Sequence, residues 1–163
     1  MTPEQELLSG VAKTTFRLNG QFLSVGEELA RPAGLTAAWW QVLGTVLKDP
    51  MPVAWIAREI GITRQSVQRI ADILVQQGLA QYEPNPWHRR AKLLRPTDQG
   101  RAAIRRISPA HADLAERLAN ELGNEELRRT LDALIRLSEV LDSVAGVRGA
   151  DHSGRRLADS LRP

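Results

Sequence analysis

Two adjacent stretches of the sequence decide the fold: residues 52–63 read PVAWIAREIGIT, and residues 64–77 read RQSVQRIADILVQQ. The first has apolar residues at helical spacing and ends at Gly61, which can adopt the left-handed conformation that closes a helix. Thr63 then suits the N-cap of a second helix. Two short helices joined by a tight glycine turn are typical of a helix-turn-helix.

The second of these helices has one apolar and one polar face. Gln and Arg side chains can form paired hydrogen bonds with adenine and guanine edges, and a helix fits the major groove of B-DNA, about 12 Å wide. An ordinary solvated face is the alternative for an isolated amphipathic helix. This helix, however, occupies the position of a recognition helix. The residues predicted to contact DNA here are Thr63, Arg64, Gln65, Ser66, Gln68 and Arg69.

A hairpin is predicted to follow the second helix. Residues 79–83 and 91–95 are short strand candidates, joined by residues 84–90, which read PNPWHRR. The two prolines exclude a helix and stiffen the loop, so cations at its tip can reach phosphates or a narrow minor groove. We expect Trp87 to pack on the base of the hairpin and His88 to lie in an exposed turn. The predicted DNA contacts of the hairpin are Arg89, Arg90 and Lys92.

Positive charge is concentrated in this central part of the chain. Residues 53–106 hold ten Lys/Arg and four Asp/Glu, an excess of +6, whereas the whole chain has a net charge of +3. A basic patch on one module is the electrostatic footprint of a polyanionic partner. An ordinary solvated surface could have the same excess of positive charge. The prediction of a polyanionic partner therefore depends on the helix-turn-helix pattern as well.

Apolar stripes flank the central segment. Residues 4–31 predict one long helix, which Gly20 weakens by about 1 kcal/mol relative to Ala. Thr36 suits the N-cap of a further helix running to about Lys48.

On the C-terminal side, Thr97 is the expected cap of a long helical region, with a kink or break at Ser108-Pro109 and a last helix after Gly123-Asn124. These stripes exceed what a small module needs for its own core. We therefore expect them to pack against a second copy of the chain.

Several motifs occur in a familiar order and spacing. They are LTAAWWQVL at residues 35–43, IAREIGITRQSVQRI at 56–70, QGL at 77–79, NPWHRRAKL at 85–93 and PTDQG at 96–100. Together they resemble the MarR family of bacterial transcriptional regulators. The resemblance implies a mainly α fold with a small β-wing, a winged helix-turn-helix flanked by N- and C-terminal dimerisation helices. It makes Arg89 the wing-tip arginine, although His88 stands where the family commonly has an acidic residue.

The resemblance also implies a function. A homodimer would place one winged helix-turn-helix on each half of a palindromic operator in double-stranded DNA. Family members usually repress nearby genes, and many release DNA when a small phenolic or lipophilic ligand binds. The leading interpretation is therefore a dimeric, sequence-specific transcriptional regulator, a repressor released by a small aromatic or lipophilic effector. The alternative is a winged-helix protein-interaction module without DNA binding, whose outward face would be apolar or acidic.

Aromatic residues suggest where such an effector would bind. Three tryptophans lie on helices that would border a crevice between the flanking helices and the winged module, and an aromatic and a cation come from the facing N-terminal helix. Aromatic walls with one cation would suit an aromatic anion. The alternative, that the tryptophans fill the core, is stronger for Trp40 than for the others. The candidate residues are Phe16, Arg17, Trp39, Trp40 and Trp55.

The predicted organisation has four parts. Residues 1–34 form an N-terminal dimerisation helix, 35–98 the DNA-binding domain, 99–145 the C-terminal dimerisation helices and 146–163 a flexible basic tail.

Composition argues against other classes of function. The chain has no cysteine, and its three histidines lack metal-ligand spacing, so we predict no metal, no cofactor and no catalysis. It lacks a secretory signal and any apolar run of the about 20 residues that span a bilayer, so we expect a cytoplasmic protein without membrane contact.

Overall fold

The computed structural model describes residues 1–144, which form six α-helices and three short strands. The helices are α1 (Pro3–Ala30), α2 (Ala37–Thr45), α3 (Val53–Ile60), α4 (Arg64–Gln76), α5 (Asp98–Leu122) and α6 (Asn124–Val144). The strands are β1 (Met51–Pro52), β2 (Ala80–Glu83) and β3 (Leu93–Pro96). The predicted fold class, mainly α with a small β-wing, is confirmed. The predicted tail at residues 146–163 lies outside the described residues.

The N-terminal helix is continuous. At its start, Thr2 Oγ1 accepts a hydrogen bond from the Gln5 N–H, while Gln5 Oε1 accepts one from the Thr2 N–H at 2.8 Å. The helix runs through Gly20 without interruption, as the sequence predicted. Near its end, Glu27 Oε2 accepts a hydrogen bond from the Ala37 N–H at 2.8 Å, which fixes the start of α2 against α1.

The predicted N-cap of α2 and the predicted glycine at the end of α3 are confirmed. Thr36 Oγ1 accepts from the Trp39 N–H at 3.1 Å, and Gly61 closes α3 in the left-handed conformation with φ 70°. Helix α2 ends at Thr45, three residues before the predicted Lys48. The chain turns there instead.

The sheet has three antiparallel strands in the order β1-β3-β2. Strand β1 was not predicted, because its two residues, Met51 and Pro52, are too few to show an alternating pattern. Its pairing with β3 joins Met51 to Leu94. The predicted strand at residues 91–95 begins two residues later, at Leu93, because Ala91 closes a turn by donating its N–H to the His88 carbonyl at 3.1 Å. We call the β2–β3 hairpin, with its loop at residues 84–92, the wing.

The two compact units of the chain are residues 1–113 and the part from Leu114 onward. The first unit contains the core, in which five elements each contribute a large, fully buried side chain. These are Leu43 of α2, Ile56 of α3, Leu74 of α4, Leu94 of β3 and Ile107 of α5. The α3–α4 pair and the wing are therefore anchored on one core.

The base of the wing is fastened to the start of α5. Thr97 Oγ1 donates to the Gly78 carbonyl at 2.6 Å and accepts from the Gly100 N–H at 3.1 Å, so the predicted cap is confirmed. A Cβ added to Gly100 would lie 2.0 Å from the Leu79 carbonyl oxygen. Glycine is required there by this close approach of two backbones.

Helix α5 continues through Pro109, so the predicted possibility of a break there is wrong. A proline removes the hydrogen bond to the carbonyl four residues earlier, that of Arg105. Arg105 is exposed, so water can replace the missing donor. The predicted separation before α6 is confirmed at Gly123, which has φ 83°. Within the described residues, no helix is long and apolar enough to cross a membrane.

Candidate nucleic-acid interface

Helix α4 presents the predicted polar face to solvent. Val67, Ala71 and Leu74 are buried in the core, which fixes the rotation of the helix about its axis. All six residues predicted to contact DNA on this helix are exposed: Thr63, Arg64, Gln65, Ser66, Gln68 and Arg69. The polar face at the start of α4 is therefore accessible to a partner, and it is the face that the sequence predicted to be exposed.

The first turn of α4 is ordered by two hydroxyl groups. Thr63 Oγ1 accepts a hydrogen bond from the Ser66 N–H at 3.1 Å and donates to Ser66 Oγ at 2.8 Å. The Thr63 hydroxyl is thus occupied by the cap, whereas Ser66 Oγ keeps its own proton for an outside acceptor. Of the two, Ser66 is the better placed to contact a phosphate or a base.

A closed triangle of hydrogen bonds joins α4 to β2. Gln68 Nε2 donates to Asp72 Oδ1 and to Tyr82 Oη, both at 2.9 Å, and Tyr82 Oη donates to the same Asp72 oxygen at 2.7 Å. Burial raises the pKa of Tyr82 to about 12, with further contributions from the hydrogen bond and the negative charge of Asp72. We call these three residues the Gln68 triangle.

Sequence reasoning missed the role of Tyr82. The separation of four residues between Gln68 and Asp72 does indicate neighbours on a helix face. Tyr82 is 14 residues from Gln68 and on another element. Its contribution depends on how β2 packs beside α4, which no local pattern shows.

The wing loop consists of two successive turns. Asn85 Oδ1 accepts from the Trp87 N–H at 3.0 Å, and the Asn85 carbonyl accepts from the His88 N–H at 3.3 Å. The second turn, closed between His88 and Ala91, places Arg89 and Arg90 at its two central positions, where both are exposed.

Two expectations for the wing can be compared with the structure. His88 is exposed, as predicted. The expected packing of Trp87 on the base of the hairpin is wrong, because its side chain is 75% exposed. Trp87 belongs to a turn, where it has no paired strand neighbour against which to pack.

A groove of about 290 Å³ lies where α4, the wing and β1 meet. It is lined by Arg64 and Gln68 from α4, Arg90 and Lys92 from the wing, and Tyr82 from β2, together with small apolar residues. No carboxylate is among the lining residues in the described part of the chain. The structure thus combines four of the nine predicted DNA-contacting residues in one cationic groove, which we call the basic groove.

A second cavity, of about 460 Å³, lies between α2, α3 and β1. Of the five predicted effector-binding residues it contains only Trp40, and its other lining residues are Gln41, Gly44, Thr45, Met51, Glu59 and Ile60. We call it the Trp40 cavity. The charged residue in its lining is an acid, Glu59, which sequence reasoning did not identify.

The five predicted effector-binding residues are in different environments. Trp39 and Trp40 are half-buried and pack against the core, and the Trp40 ring meets His111 edge-on, with centroids 5.6 Å apart. Trp55 is 44% exposed and Phe16 76% exposed, and Arg17 is also exposed. Within residues 1–144, no three His, Cys, Asp or Glu side chains are grouped so that they could hold a metal ion.

The order α3, glycine turn, α4 and wing is that of winged helix-turn-helix proteins, in which the second helix reads DNA. The structure therefore defines the chain as a winged-helix protein. The model of the MarR family matches residues 33–91. The chain belongs to the MarR family of transcription regulators, so the family prediction and the prediction that the chain is not an enzyme are both confirmed.

Individual proteins are similar to this chain over much of its length. An uncharacterized protein of Mycobacterium tuberculosis is 38% identical over 122 residues, which cover 75% of this chain and 85% of that protein. The HTH-type transcriptional regulator TcaR of Staphylococcus aureus is 27% identical over 95 residues, covering 57% of this chain and 63% of TcaR. A mutant MarR from E. coli, crystallised with operator DNA, has a TM-score of 0.68 at 21% identity, covering 85% of this chain and 99% of that one. That last similarity shows the fold alone.

Proposed function

We propose that this chain is a homodimeric repressor that binds a palindromic operator in double-stranded DNA through α4 and the wing. The observation that carries the proposal is the basic groove, in which cations from α4 and from the wing converge. Residues 35–98 would form the DNA-binding domain. The exposed face of α4 is polar and basic, which does not suit the alternative of a protein-interaction module with an apolar or acidic face.

In this proposal the wing and α4 contact different parts of the DNA. Arg90 and Lys92 line the basic groove, and Arg89 lies at the exposed turn, so these three would contact phosphates or the minor groove. Gln65 and Arg69 are exposed on α4 and would reach base edges in the major groove. The relative MarR of E. coli was crystallised with operator DNA, which supports the same partner here. A regulator with this partner would act in the cytoplasm.

Exposed apolar side chains support dimerisation. On α1, Leu7 is 71% exposed and Phe22 is 65% exposed. On α6, none of the 21 residues is buried, and Leu131 and Ile135 are 57% and 47% exposed. Large apolar patches are rarely left in contact with water, and a second copy would cover them. Residues 1–34 and 99–145 would therefore form the dimer, spacing two α4 helices about 34 to 36 Å apart on the operator.

The proposed effector is a small aromatic or lipophilic molecule. The Trp40 cavity, at about 460 Å³, is within the size range of small-molecule sites. Its acidic residue, Glu59, favours a neutral or cationic aromatic ligand over an aromatic anion. Phe16, Arg17 and Trp55 do not line this cavity in one subunit, but their exposure leaves them available to an effector or to the partner subunit.

DNA binding can be tested by measuring affinity for the upstream region of the chain's own gene against salt concentration. Each phosphate contact contributes about one unit to the slope of log affinity against log salt. Because the proposed dimer carries each residue twice, Arg90→Ala and Lys92→Ala should each reduce this slope by about 2. Lys48→Ala removes the same charge from an exposed position outside the groove and should leave the slope unchanged. A salt-independent affinity, or equal effects of all three variants, would contradict the proposal.

Effector binding can be tested by tryptophan fluorescence. A ligand in the Trp40 cavity should quench part of the emission and release operator DNA over the same concentration range. Trp87→Phe serves as the control, because Trp87 does not line the cavity and quenching should survive its substitution. If no neutral, cationic or anionic aromatic compound alters either signal, the effector part of the proposal is wrong.

A further inference from the structure

The Gln68 triangle determines which atoms of Gln68 remain available. An amide side chain has two N–H donors on Nε2 and one acceptor oxygen, Oε1. Both donors are occupied, one by Asp72 Oδ1 and one by Tyr82 Oη. Among residues 1–144, no side chain or backbone group donates to Oε1 in return.

The chemistry of the partners settles the orientation of the amide. A carboxylate only accepts hydrogen bonds, so the amide atom facing Asp72 at 2.9 Å must be the nitrogen. The single Tyr82 proton is directed to Asp72 Oδ1 at 2.7 Å, so the phenol oxygen can only accept from Gln68. Rotating the amide by half a turn would place Oε1 against the carboxylate and lose both bonds. The triangle therefore has one consistent arrangement of protons.

Tyr82 is held firmly enough to impose this arrangement. It lies on β2 opposite Leu94, which is fully buried on the central strand β3. A hydrogen bond to a carboxylate is stronger than one between neutral groups. The raised pKa of Tyr82, about 12, agrees with a phenol that keeps its proton beside Asp72.

We propose that Tyr82 and Asp72 are positioning residues that make Gln68 a hydrogen-bond acceptor only, so that α4 selects an amino base, adenine or cytosine, at one operator position. The inference rests on the proposed DNA binding by α4. In the major groove adenine and cytosine present amino donors, whereas guanine and thymine present carbonyl acceptors. A free glutamine commonly pairs with adenine through both amide atoms. Gln68, with its nitrogen occupied, accepts from adenine N6 or cytosine N4 and repels the carbonyl oxygen of guanine or thymine.

The triangle can be tested without DNA. Tyr82 is the only tyrosine in the chain, so the tyrosinate absorbance after a rapid jump to high pH reports this one group. At pH 11 the Tyr82 phenol of the wild type should stay mostly protonated, whereas that of Asp72→Ala should be more ionised than the wild type, because burial alone then raises the Tyr82 pKa. Asp142→Ala, an exposed aspartate of α6, is the matched control and should behave as the wild type. Equal ionisation in wild type and Asp72→Ala would overturn the proposal.

The selectivity is tested by binding to an operator library with every base varied singly. The wild type should favour adenine or cytosine over guanine or thymine about fivefold to tenfold at one position in each half-site, and Gln68→Ala should abolish this preference. Tyr82→Phe frees one amide hydrogen and should reduce the preference at least twofold, with the salt slope unchanged. Gln76→Ala removes an exposed amide from the C-terminal end of the same helix and should leave this preference unaltered.

The outcomes separate the two proposals. If Tyr82→Phe and Gln68→Ala bind the library with the same base preferences as the wild type, the inference about Gln68 is wrong while DNA binding stands. If the wild type shows no salt-dependent binding to any member, the proposed function itself fails, and the selectivity inference fails with it.

Discussion

Replacing Gly100 with alanine should destabilise the fold, although alanine is the better helix former. The new Cβ would lie 2.0 Å from the Leu79 oxygen and 3.0 Å from its carbonyl carbon, so one of the two backbone segments must move. Overpacking a rigid site costs about 1 to 3 kcal/mol. The movement would also stretch the hydrogen bonds of Thr97 to Gly78 and Gly100. The gain of about 1 kcal/mol from replacing a helical glycine offsets only part of this.

Gly44 provides the control, because it is also helical but, unlike Gly100, is exposed, and a Cβ added there has nothing within 4 Å. Urea denaturation should show that Gly100→Ala lowers the free energy of unfolding by about 1 to 3 kcal/mol. Gly44→Ala should keep that free energy unchanged or raise it by up to about 1 kcal/mol. If Gly100→Ala were as stable as the wild type, the close approach of α5 to the wing base would be refuted.

Three further predictions concern the cap of α4, the Gln68 triangle and the dimer. Thr63→Ala removes the N-cap acceptor and should lower the free energy of unfolding by about 1 kcal/mol in urea denaturation. The pKa of Tyr82 rises from 10.0 to about 12 on folding, so its stabilising contribution is complete below pH 10 and disappears between pH 10 and 12. Urea titrations of Tyr82→Phe over that range should lack this decline, and an identical decline would contradict it. Leu131→Glu should convert the proposed dimer to a monomer in sedimentation experiments, whereas an unchanged dimer would exclude that face of α6 from the interface.

The local features of the fold could be predicted from the sequence. Thr36, Thr63 and Thr97 act as caps through neighbours three residues away, and Gly61 needs only its own backbone freedom. Such features depend on the adjacent residues alone. The exposed polar face of α4 could be predicted for the same reason, since helical spacing separates the buried side of the helix from its exposed side.

Features that depend on distant residues could not be predicted. Strand β1 exists only because Met51 pairs with Leu94, and the Gln68 triangle requires β2 to lie beside α4. The Trp40 cavity likewise draws its lining from α2, α3 and β1, which is why Glu59 escaped notice. The predicted packing of Trp87 was wrong for a different reason. Large apolar side chains are expected to be buried, but this one lies in a turn, where it has no neighbour to pack against.

The wing loop is fixed at both ends and is held between them by turns of its own. The start of β2 is tied to α5 through Thr97, and β3 is paired with β1, which leads directly into α3. Residues 84–92 therefore form an interchangeable segment, whose length and composition can vary while the register of the strands is kept. A loop grafted from another regulator should leave the thermal unfolding temperature unchanged and carry its own minor-groove preference with it. On the proposed mode of DNA binding, new operator specificities could then be assembled by varying the loop against a constant α4 face.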